Sequence, residues 1–63
     1  MGLEILQTAC ENAECEWIEI VWKKGYWTIK VFKDESLVAK TTDILPNNAC
    51  YQIRDKLRRV LDY

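Results

Sequence analysis

The chain has 63 residues, 49% of them hydrophobic and 30% charged, with a formal charge of −1 at pH 7. This is the composition of a single small globular domain over 1–63, near the lower size limit for folding without staples, and it excludes a disordered chain. The near-neutral charge argues against undirected nucleic-acid binding, whose affinity rests on neutralised phosphates.

The charge is unevenly spread. Residues 1–22 carry Glu4, Glu11, Glu14, Glu16 and Glu19 and no Lys or Arg, a net of −5. From Asn48 to Tyr63, Arg54, Lys56, Arg58 and Arg59 outweigh Asp55 and Asp62, a net of +2. Such runs are usually solvated faces, and the sharper reading is an acidic surface shown to a basic partner. No apolar run approaches the ~18 residues of a membrane span, and the start lacks a basic region of the secretory kind. Three cysteines, Cys10, Cys15 and Cys50, without an export signal point to reduced thiols in a cytoplasmic protein.

The first predicted element is an amphipathic helix over residues 3–13. Leu3, Leu6, Cys10 and Ala13 recur at helical spacing with Ile5 and Ala9 beside them, and Glu4, Gln7 and Glu11 fall opposite. Asn12 and the "ECE" after Ala13 suit an exit turn.

Residues 16–33, "EWIEIVWKKGYWTIKVFK", read as a hairpin turning at Lys24-Gly25, because Gly supplies the positive φ a tight turn demands. A two-residue loop pairs Trp22 with Trp27, Ile20 with Ile29 and Ile18 with Val31 on one apolar face. On the other face it sets Glu19 against Lys30 and Trp17 against Phe32, and at the strand ends Glu16 against Lys33. Opposite charges in one register support that loop over a bulged alternative.

"DES" at 34–36 is a second turn, and "LVAKTT" a third strand of ambiguous register. Leu37 and Ala39 inward with Val38 and Lys40 outward is preferred, since burying Lys40 unpaired is costly. Pro46 stops the strand, with Asn47 or Asn48 as N-cap of a last helix. There Ala49, Ile53, Leu57, Val60 and Leu61 form the apolar stripe, while Asp55 and Arg59 stand one turn apart and are expected to pair. The fold class is therefore α+β: helix, three-stranded antiparallel meander, and a C-terminal helix on one sheet face.

This arrangement predicts Trp22 and Trp27 as core and Trp17 as exposed. The outer face then carries Trp17, Val21, Tyr26 and Phe32 as an apolar centre, with Glu16, Glu19 and Lys30 at its rim. Three coverings compete for it: the N-terminal helix, another protein surface or a second copy of this chain, or unpaired bases stacking on the aromatics. The first strand adds a second argument, being an edge with no Pro and no central Lys, of the kind that invites strand addition.

The chain contains no histidine, the commonest general base near neutral pH and the commonest metal ligand. Only Gly2 and Gly25 are present, so no glycine-rich phosphate loop exists, and the single serine, Ser36, has no candidate base. Cys10 and Cys15 lack the second thiol pair of a zinc site. No catalytic residue, metal or cofactor is expected.

The order of elements and the length resemble double-stranded-RNA-binding domains and small toxin ribonucleases of the same topology. The resemblance stops there: the first hairpin loop is only "KKG", the last helix opens "PNNACYQI" without lysines, and no histidine is present. Fold analogy of this degree does not carry function. The expectation is a small, non-enzymatic protein-binding module acting by stoichiometric association, of the type of a phage or mobile-element inhibitor that blocks a nucleic-acid-processing complex. The alternatives are single-strand nucleic-acid binding through the same aromatics and lysines, and a structural subunit of a larger assembly.

Overall fold

A computed structural model describes residues 2–61, with side-chain surroundings through Arg59. It contains α1 (Gly2–Asn12), β1 (Trp17–Lys23), β2 (Tyr26–Lys33), β3 (Ser36–Asp43) and α2 (Pro46–Leu61). The strands form one antiparallel sheet in the order β1-β2-β3, so β1 and β3 are both edges. The expected αβββα architecture is the observed one.

Local chemistry accounts for each reversal. Helix α1 ends where Glu14 enters the left-handed region at φ 57°. The Glu14 N–H then donates to the Glu11 carbonyl at 3.1 Å, and the Cys15 N–H to the Cys10 carbonyl at 2.9 Å. These two bonds are a Schellman closure, and they satisfy carbonyls a helix end leaves free. The β1–β2 turn has Lys24 at φ 52° and Gly25 at φ 85°, the signature of a two-residue type I′ loop. The register follows as expected from Lys23–Tyr26 through Trp22–Trp27, Ile20–Ile29, Glu19–Lys30 and Ile18–Val31 to Trp17–Phe32.

The β2–β3 turn repeats the device with Asp34 at φ 52° and Glu35 at φ 63°. Beyond it the register slips between Val31 and Phe32, since Val31 faces Ala39 but Phe32 faces Leu37. Val38 is the extra residue of a β-bulge. The bulge overturns the expected facing of β3: Leu37 lies exposed beside Phe32, while the half-buried Val38 packs against the core. Ala39 is buried and Lys40 exposed, as expected, and Thr41 is buried as well.

Both helices cover the same face. Leu6, Ala9, Cys10 and Ala13 from the α1 side meet Ile29 and Val31 from β2, Ala39 from β3, and Ala49, Cys50, Ile53 and Leu57 from α2 in one buried cluster. Leu3 is exposed at the head of α1, where the buried position is Gly2, and its missing side chain permits close packing. A Cβ there would stand 2.8 Å from Asn47 Oδ1 and 3.1 Å from Cys50 Sγ. The side chains of Val60 and Leu61, expected to extend the stripe of α2, lie outside the described residues, as does Asp62.

A polar seam fixes α2 to β3. Thr41 Oγ1 donates to Gln52 Oε1, Gln52 Nε2 donates to Asp43 Oδ2 at 2.7 Å, and the Lys56 ammonium donates to the Lys40 carbonyl. Asp43 Oδ1 also accepts the Leu45 N–H at 2.9 Å. Helix α2 therefore starts at Pro46, where the missing N–H is harmless, rather than after a cap at Asn47 or Asn48.

Because α2 lies over β3 and β2, the inner side of β1 is poorly covered. This corrects the expectation for two tryptophans. Trp22 is 60% exposed and Trp27 only half-buried, although both are on the helix-bearing face. The alternation places them correctly, but α2 is seated over β3 and β2, which leaves Trp22 on β1 open and shelters Trp27 on β2 only in part.

Candidate protein-binding surface

Among the described residues no element covers the side of the sheet away from the helices, and α1, packed on the opposite face, is excluded as its lid. The register arranges it in rows: Trp17–Phe32–Leu37, Glu19–Lys30–Lys40, Val21–Thr28–Thr42 and Lys23–Tyr26. Trp17, Val21 and Tyr26 are 40%, 50% and 52% exposed, and Phe32 is half-buried beneath Trp17. The Trp17 and Phe32 rings stack with centroids 4.9 Å apart and planes 14° from parallel. Beyond the Glu19–Lys30–Lys40 row, Thr28 and Thr42 join their hydroxyls at 3.1 Å. The result is a flat apolar plate with a charged row across it, held by backbone rather than by long flexible side chains.

Two expected contacts take another form. Glu16 does not pair with Lys33. Its N–H donates to the Phe32 carbonyl at 2.9 Å, and its Oε1 accepts the Asp34 N–H at 2.5 Å, buttressing the second turn. Lys33 instead donates to the Ala13 carbonyl at 3.3 Å. Glu19 and Lys30 face each other across the strands, but the one salt bridge among the described residues is Arg54–Asp55 at 3.2 Å. Asp55 thus pairs with its neighbour rather than with Arg59. The Arg54 guanidinium also lies 5.0 Å from the centre of the Tyr51 ring. Glu19 and Lys30 thus run through the plate, between the Trp17–Phe32 stack and Val21, rather than round it as expected, and Glu16 is held at the second turn.

The helix-bearing face adds a feature that strand alternation alone did not reveal. Ile20 is 44% exposed there, and with Leu3, Trp27, Ile29, Pro46 and Cys50 it lines an apolar cleft of about 330 Å³. A second, largely apolar cleft of about 320 Å³ opens between the helices beside Ile5, Ala9 and Leu57, with Glu4, Thr8, Arg54 and Arg58 around it. The available signal for the apolar cleft was arithmetic: three strands of large residues outnumber what one docked helix pair can cover.

The cysteines are free. Burial, then the adjacent Cys15, pushes the Cys10 thiol up to about 11, and burial raises Cys15 and Cys50 too. Thiols so raised stay protonated at neutral pH and are weak nucleophiles. Among the described residues no three His, Cys, Asp or Glu side chains converge, and no helix is long and apolar enough to cross a membrane. No protein-family model matches the chain, and comparison with curated proteins and with solved structures gives no significant match.

Proposed function

We propose that this is a non-enzymatic binding module that acts by stoichiometric association with another protein through the outer plate. The stacked Trp17–Phe32 pair, with Val21 and Tyr26 further along the same face, supports the reading: large apolar groups are held preorganised on a face that none of the described elements covers. Rigid aromatic anchors inside a polar rim are the usual energetic centre of an interface. Glu19 and Lys30 supply charged contacts within that surface and Glu16 a further carboxylate at its end, and occupancy alone, as in an inhibitor of phage or mobile-element type, is the mode of action.

The test begins with capture from the native host and identification of what is bound, followed by titration of the purified partner. Wild type is expected to bind at a fixed stoichiometry. The double variant Trp17→Ala/Phe32→Ala is expected to keep its circular dichroism and lose binding. Undiminished affinity in that variant removes the site.

One observation favours a second reading. Lys30 and Lys40 stand side by side on the plate with only Glu19 in their row, next to the aromatic stack. That combination suits single-stranded nucleic acid, which needs a base-stacking platform and backbone-neutralising cations. It predicts binding to mixed-sequence single strands that weakens steeply with salt, and no retention at low salt eliminates it.

A further inference from the structure

We propose that two copies of this chain pair edge to edge through β1, in an antiparallel register centred on Val21, to make one continuous sheet of twice three strands. This goes beyond the outer-plate reading and leaves that plate free.

The backbone sets the possibility. Lys23 and Tyr26 close the first hairpin as a hydrogen-bonded pair, so alternation points the N–H and C=O of Trp17, Glu19, Val21 and Lys23 at β2. The same groups of Ile18, Ile20 and Trp22 point to the open edge. A two-fold axis perpendicular to the sheet brings like faces together, so the centre of the register must be a residue.

Charge selects which residue. Centring on Val21 sets Glu19 opposite Lys23 of the second copy, twice by symmetry, and Val21 opposite Val21. These are non-hydrogen-bonded positions of the new ladder, where side chains approach most closely. Ile20 and Trp22 of opposite copies then share the new hydrogen bonds. Centring on Ile20 sets Glu19 against Val21 and Trp17 against Lys23, and both charges lose their partners.

The helix-bearing face fits the same register. Trp22, 60% exposed in the single chain, comes to lie beside Ile20 of the other copy. Ile20 is a wall of the apolar cleft of about 330 Å³, so each copy brings an indole to the other's cleft. The exposed indole of Trp22 and the open backbone edge of β1 are thereby sheltered by one event.

Sedimentation equilibrium of the full chain across concentration is expected to show a dimer. Glu19→Lys and Lys23→Glu, each exposed and each expected to fold, should weaken it by roughly tenfold or more, and the double swap should restore it. In a Cys15→Ser background, Val21→Cys is expected to give a covalent dimer on mild oxidation. Ile20→Cys is not, because its thiols lie on a diagonal too long to bridge. A monomer at all concentrations, a double swap no better than the single changes, or preferential crosslinking at position 20 overturns the proposal. Partner capture by a purely monomeric chain would leave the outer-plate reading standing and remove only this one.

Discussion

The Trp17 indole lies flat on the Phe32 ring, 4.9 Å away between centroids, although the two residues sit at the far end of the hairpin from its turn. The stack is therefore a clasp on the open end of the first ribbon as well as part of the proposed docking plate. A double-mutant cycle with Trp17→Ala and Phe32→Ala, read by urea denaturation, should give a coupling of about 0.5–1.5 kcal/mol.

Stability should divide between the strands in a way that residue size does not foretell. Ile53 is fully enclosed, and Ile53→Ala should cost about 2–5 kcal/mol, enough to unfold much of so small a domain. Trp22→Ala removes a larger side chain but one mostly in solvent. At concentrations where the chain is monomeric, thermal melts should place Trp22→Ala close to wild type and far above Ile53→Ala.

Gln52 connects Thr41 and Asp43, so Gln52→Ala leaves the buried Thr41 hydroxyl without its acceptor. The expected loss is about 1–3 kcal/mol by chemical denaturation. Adding Thr41→Val removes the stranded hydroxyl, and the double variant should be more stable than Gln52→Ala alone.

Glu35 occupies a left-handed backbone position at φ 63° that suits glycine. Glu35→Gly gives the second hairpin an Asp-Gly loop. It should raise the unfolding free energy by about 0.5–1 kcal/mol, since the relief at positive φ exceeds the added freedom of the unfolded chain.

Alkaline pH should destabilise the fold through its thiols. Cys10 titrates near 11 in the folded chain against 9.0 for an ordinary cysteine, so the unfolded chain releases that proton first. The stabilisation is complete below about pH 9 and is lost as pH rises towards about 11, because the folded state binds more protons there. Urea denaturation through that range should show the fall, and Cys10→Ala should make it shallower.

The hairpin was legible because its evidence is periodic: glycine marked the turn, and charges and aromatics then matched along the ribbon from Lys23–Tyr26 to Trp17–Phe32. The outer plate followed from the same alternation. What failed was not periodic. The Val38 bulge, which exchanges the exposures of Leu37 and Val38, leaves no mark in a sequence where Leu, Val and Ala all suit a strand. The seat of α2 over β2 and β3 depends on the seam through Thr41, Asp43, Gln52 and Lys56, which is assembled from residues distant along the chain. For that reason Trp22 could be assigned to the correct face and still be wrongly expected inside.

The two rims of the sheet are unequal. The β3 rim bends at Val38, and the carbonyl of Lys40 is already taken by an ammonium from α2. Chains joined through β1 would therefore show the surroundings only β3 rims, each bent by its bulge and with one carbonyl already occupied. Growth would end at a closed pair, and a molecule bearing an exposed, strongly sheet-forming ribbon would be spared the endless stacking that ends in fibres.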